Sequence, residues 1–197
     1  MLTELQIINA MLATVGTGGL TAEDHRHPYY VSAKDTLDAE RLKVLQLRHW
    51  YNTVTKTLKR DSNKHIYVPS NTLKIDAIDT TLAVAQRGRR LYLTETSSYE
   101  FEHDVECSIV ENMEVEDLPS SAVMYLRARA RYMYYLDKDG AQPKLSYYAQ
   151  DVREAWSILN SENINALDVN HFNGAGSTAR RRGFSYDRVI NPTGGYI

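Results

Sequence analysis

Four acids near the middle of the chain, Glu100, Glu102, Asp104 and Glu106, alternate with other residue types. On an extended strand, alternate side chains share one face at about 7 Å. That spacing falls within the roughly 6.5–9.5 Å at which an inverting glycosidase holds its acid and base. Two of the four could then act as a proton donor and a base on a glycan. The same pattern equally describes a solvated strand face whose inner side carries Phe101, His103, Val105 and Cys107. The solvated face is the reading adopted for these acids, with a glycan hydrolase as the alternative.

Other chemistry-bearing residues resolve into structural readings. His25 and His27 with Asp24 give too few ligands, on a loop ending in Pro28, to define a metal geometry, so no metal is assigned. Gly16, Gly18 and Gly19 follow a helical pattern rather than a strand and no Lys-Ser/Thr succeeds them, which removes the phosphate-cradle reading. Cys107 alternates with apolar residues and has no base in sequence reach, as a small buried hydrophobe would. Arg127, Arg129 and Arg131, and the run Arg180, Arg181 and Arg182, suit carboxylate partners better than phosphate. A DNA-contacting module built on these arginines is a second rival function, one whose affinity would fall steeply with salt. No cofactor is expected.

Positioning these residues requires helices at both ends of the chain and strands between them. Leu5, Ile8, Leu12 and Val15 recur at helical spacing before the glycines at 16, 18 and 19. A second helix is expected from about Ser32, with Ala33, Leu37, Val44 and Leu47 on one face. From Tyr51 the texture changes to short Thr-, Val-, Ile- and Tyr-rich stretches broken by Asp61-Ser62-Asn63, Ser70-Asn71 and Asp79-Thr80. Residues 82–95 read as a hairpin about Gly88. Asp117-Leu118-Pro119-Ser120 opens a third helix, running to about Asp137, whose core stripe is Val123, Leu126, Ala130, Met133 and Tyr134. Tyr125, Tyr132 and Tyr135 then fall on its nominal solvent side, so the helix is sticky on both sides and needs two partners. Leu145, Tyr148, Val152, Ala155, Trp156 and Leu159 define a fourth helix ending before Asp168.

The predicted fold is α+β: a bundle of about four helices (residues 1–50 and 117–168) with an inserted small antiparallel β subdomain (51–116). Residues 169–197 show no sustained period yet contain Phe172, Phe184 and Tyr186 beside Arg180, Arg181 and Arg182. They read as a flexible C-terminal arm that orders on a partner.

Bulk composition narrows the function classes. The 197 residues carry a formal net charge of -2, against a dedicated nucleic-acid binder. No Lys or Arg lies between Leu91 and Leu126, while nine acids fall between Glu95 and Asp117, a patch that would repel DNA phosphates. One cysteine excludes an intramolecular disulfide. An acid at position 4 and the lack of a long apolar run point away from a signal peptide or a membrane span. Fourteen tyrosines against three phenylalanines supply contact surface whose hydroxyls can still reach polar partners, as interfaces require.

The helix Leu5-Gln6-Ile7-Ile8-Asn9-Ala10-Met11-Leu12-Ala13-Thr14-Val15-Gly16 is followed by a second helix ending at His49-Trp50. After it come the stretch Ile66-Tyr67-Val68-Pro69-Ser70-Asn71-Thr72-Leu73-Lys74-Ile75-Asp76 and the Gly88 hairpin with its Arg90-Leu91-Tyr92 return strand. Glu116-Asp117-Leu118-Pro119 then opens the helix over 122–135. In this order, over about residues 4–165, the chain resembles the tail tubular protein A family, the head-to-tail adaptors of short-tailed bacteriophages. The resemblance implies a structural, non-enzymatic subunit of a dodecameric ring. It implies docking to the portal protein on one side and to a nozzle protein, similar to tail tubular protein B, on the other. Genomic DNA would pass through without specific binding, past an acidic lumen. The protein would be made in the host cytoplasm, reside in the virion tail and have no membrane partner. On this reading the arm residues face the portal, and the third-helix tyrosines face the next subunit.

Overall fold

In the computed structural model, which describes residues 2–23 and 26–166, the first helix begins at a capping box. The Gln6 amide donates to the Thr3 hydroxyl at 3.3 Å and the Thr3 amide donates to Gln6 Oε1 at 3.0 Å, satisfying two otherwise free N–H groups. Helix α1 (Glu4–Thr14) buries Ile7, Ile8, Met11 and Leu12. It closes in a Schellman motif: Gly16 takes φ +74° and donates to the Ala13 carbonyl, and Thr17 donates to that of Leu12.

Helix α2 (Pro28–Leu45) starts earlier than the expected Ser32. Pro28 occupies the first turn, where its missing N–H costs nothing and its fixed φ suits the helix. Tyr30, Ala33, Leu37, Val44 and Leu45 are buried, whereas Leu47 lies beyond the helix end and is 47% exposed.

Strands β1 (Thr53–Leu58), β2 (Thr72–Ala77) and β5 (Val105–Glu111) form an antiparallel sheet in the order β1-β5-β2. Strands β3 (Val84–Arg87) and β4 (Arg90–Leu93) pair as the expected hairpin, with Gly88 at φ +62° supplying the left-handed turn position. Val105, Cys107 and Ile109 point inward and pack with Leu58, Ile66, Val68, Ile75, Leu91 and Phe101. His103, assigned to the same inner side, is exposed.

A 3-10 turn at Val115–Asp117 leads to α3 (Ser120–Lys138), capped by Pro119 in extended backbone; Gly140 then turns the chain into α4 (Gln142–Ala166). Helix α3 is central, packing on α1, α2 and α4. Val123, Leu126, Ala130 and Tyr134 are buried as expected, and Met133 is half-buried. The architecture is α+β, with one apolar cluster in the helical bundle and a second under the sheet.

Both crossings between bundle and sheet are pinned by polar side chains. Asn52 donates to the Leu45 carbonyl at 2.7 Å and accepts from the His49 amide at 3.0 Å. Arg41, on α2, donates to the Met113 carbonyl at 2.5 Å and pairs with Glu114 at 3.0 Å. These bonds supply the partners that removal from water demands for all but Arg41 Nε, which has no hydrogen bond among the described residues.

Candidate functional site

The four acids do not share a strand face. Strand β5 begins only at Val105, so Glu106 alone of the four lies on it, and Glu100, Glu102 and Asp104 belong to the preceding loop. That loop takes its hydrogen bonds from other segments: Phe101 donates its amide to the Lys64 carbonyl at 2.8 Å, and the Arg60 amide donates to Asp104 at 3.0 Å. Glu102 pairs with Lys64 at 3.0 Å, and this hydrogen bond and the ammonium charge hold its carboxyl below the usual range. All four acids are exposed. The opposed pair that an inverting hydrolase requires is not built by an extended run here, because the alternation of residue types continues past the point where the backbone pairing stops.

The third-helix tyrosines are placed differently from the solvent side. Tyr125 and Tyr135 are 5% and 0% exposed, and Tyr132 is half-buried. Tyr125 packs on Trp156 with ring centroids 5.1 Å apart and Tyr135 on Tyr148 at 5.2 Å, so the second sticky face of α3 is covered by this chain's own α4. Tyr125 and Tyr135 are therefore internal rather than available to a neighbour. The flanking arginines meet carboxylates: Arg129 reaches Glu40 at 2.7 Å and Arg131 reaches Asp151 at 3.3 Å. Burial opposes the charge of Arg129, but the Tyr125 hydroxyl and Glu40 outweigh it and hold the guanidinium pKa above its usual value. Arg127 makes no ion pair among the described residues.

Several groups emerge that no spacing rule singles out. Glu40 is 1% exposed on α2 and accepts from both Arg129 and, at 2.5 Å, Lys43. His49 is 2% exposed where the bundle meets the sheet, stacked on Tyr51 at 5.2 Å and edge-on to Trp156 at 6.0 Å. Burial drives its pKa down to about 4. On the hairpin, the Arg87 guanidinium lies 3.5 Å from the Tyr92 ring centroid and that of Arg90 lies 4.4 Å from Tyr99. The sequence signal for this last pair was the Arg87-Gly88-Arg89-Arg90 turn itself, with a tyrosine two residues on.

Cys107 is fully buried, and desolvation pushes its thiol up to about 11, the environment of a packing residue. Among the described residues no cluster of three or more His, Cys, Asp or Glu side chains could hold a metal, and no helix is long and apolar enough to cross a membrane. Asp24 and His25, and the arm residues Phe172, Arg180, Arg181, Arg182, Phe184 and Tyr186, lie outside the described residues. Exposed apolar side chains remain on three helices, Tyr29, Val31 and Leu42 on α2, Met124 and Leu136 on α3, and Tyr147, Ile158 and Ile164 on α4.

Residues 5–169, spanning α1 to α4 and the inserted strands, match the tail tubular protein family. Tail tubular protein A of Klebsiella phage KP34 is 26% identical over 162 residues, covering 82% of this chain and 87% of that protein. The match runs through bundle and sheet together, and the chain belongs to the tail tubular protein family, as a structural component of a bacteriophage tail.

Proposed function

We propose that the chain is the subunit of a closed, dodecameric ring joining the capsid portal to the tail nozzle, with no enzymatic role. The observation that supports this reading is the match of residues 5–169 to the tail tubular protein family, and exposed apolar side chains on α2 (Val31, Leu42), α3 (Met124, Leu136) and α4 (Tyr147, Ile158) offer contact surface for it. Helices α2 and α4 both pack on α3. A head-to-tail contact between unlike surfaces of neighbouring copies that closes on itself makes a ring.

Residues 169–197 dock the portal on this reading, through Phe172, Phe184 and Tyr186 with Arg180, Arg181 and Arg182, and the opposite side of the ring receives a nozzle protein similar to tail tubular protein B. Genomic DNA passes through the ring without specific binding; exposed acids such as Glu95, Glu100 and Glu106 discourage phosphate contact. Electron microscopy of the chain mixed with its phage's portal, beside the chain alone, tests the assignment. Rings capping the portal, lost on truncation after Val169, are expected. A portal that accepts other tail proteins but not this chain would refute the adaptor role.

A further inference from the structure

The β3–β4 hairpin carries charge that nothing in its own subunit neutralises. Arg87 and Arg89 are exposed and Arg90 is half-buried, and none of the three forms an ion pair among the described residues. Two of the guanidiniums are nevertheless held in place, Arg87 over Tyr92 and Arg90 over Tyr99, and the two rings meet edge-on at 5.0 Å. Stacking fixes the planes and leaves the N–H edges free, which pre-organises them for a planar oxyanion. Tyr67, bridged to Arg90 through the backbone, is 54% exposed beside them. Arginine with exposed tyrosine is the composition of protein-interface hot spots.

Either a carboxylate or a phosphate would fit such edges, and the flanks decide between them. Glu95 follows β4 by two residues, and Glu100 and Glu102 follow Tyr99 directly. A continuous polyanion laid across the hairpin would meet these acids, whereas a discrete pair of carboxylates on a protein surface would not. The chain presents such a pair elsewhere: Glu116 and Asp117 are exposed in the turn leading into α3, and neither forms an ion pair among the described residues. The hairpin and this turn are different patches, and in a ring such patches of neighbouring copies meet head to tail.

We propose that Arg87, Arg89 and Arg90 dock on Glu116 and Asp117 of a neighbouring copy of this chain, a contact that rests on the ring reading above and names one of its interfaces. The test uses purified phage particles carrying Arg89→Lys, which keeps the charge and supplies an amine for zero-length carbodiimide cross-linking. The expected result is bands at multiples of the chain mass, containing a peptide that joins position 89 to Glu116 or Asp117. Multimer bands linked only elsewhere, or no multimers, overturn the proposal. A portal capped by rings whose cross-links lie elsewhere would sink the hairpin contact alone. The hairpin link in particles whose isolated chain fails to cap the portal would sink the adaptor role alone. In a second arm, Arg87→Glu with Arg89→Glu abolishes ring assembly, and Glu116→Arg with Asp117→Arg restores it. Failure of the swap to restore assembly in folded protein counts against the contact. If the hairpin variant instead loses a salt-sensitive shift of duplex DNA that the unaltered chain shows, phosphate is the ligand and the proposal falls.

Discussion

Acidification should destabilise this protein through His49 in a way one substitution removes. The imidazole is 2% exposed among Tyr51, Trp50 and Trp156, and neither ring nitrogen has a hydrogen-bond partner among the described residues. Burial lowers its pKa from 6.5 to about 4. Above pH 6.5 the group is neutral in both folded and unfolded chains, and the full stability is present. Below 6.5 the unfolded chain takes up a proton that the folded chain refuses, so stability drains away until about pH 4, where the folded state titrates as well. That gap of about 2.5, at about 1.36 kcal/mol per pH unit, amounts to roughly 3 kcal/mol. Acids titrate in the same range, so the informative quantity is the difference from His49→Phe, which keeps an aromatic ring and loses the titration. Urea unfolding followed by circular dichroism, at about pH 7 and about pH 4.5, should show the variant gaining roughly 2.5 kcal/mol on the wild type as the pH falls. Parallel stability curves for the two proteins would mean that His49 is hydrated or partnered in solution, and the burial argument would be wrong.

Two other perturbations probe the bundle and the sheet. Glu40→Leu and Arg129→Met should each cost about 3 kcal/mol in urea unfolding, because the first strands a half-buried guanidinium and the second a buried carboxylate. Glu40→Leu with Arg129→Met should recover most of the loss; strict additivity of the single effects in that cycle would contradict the pairing. The buried Cys107 thiol, with a pKa near 11, should resist a thiol reagent at neutral pH until the sheet unfolds, as followed by mass spectrometry. Labelling at the rate of an exposed thiol would show that the sheet opens locally.

What was legible in the sequence was local. The Gly88 turn carries its own signal, and Val105, Cys107 and Ile109 alternate because β5 turns one face into the apolar cluster under the sheet. Helix faces were equally readable: the periodicity of α3 correctly gave it two apolar sides. Periodicity names a face and not its occupant, however, so Tyr125 and Tyr135 were assigned to a neighbour when α4 of the same chain covers them. The acids failed for a related reason. Residue types alternate smoothly from Glu100 to Glu106, but the backbone of the first part bonds to Arg60 and Lys64 rather than to a strand partner, and spacing cannot choose among long-range partners. His49 had no signature at all, since a lone histidine acquires its environment only when the bundle and sheet close around it.

The way the sheet is spliced into the bundle has a consequence for how such proteins diversify. The chain departs at Asn52 and returns at Glu111, whose amide donates to the Asn52 carbonyl at 2.8 Å, so both ends of the insertion use one doorway. A cassette held by a single doorway can be lengthened, shortened or exchanged without changing the spacing of α2 and α3. A lineage can thus refit the cassette to a new counterpart while the helical frame, and everything that stacks on it, keeps its pitch.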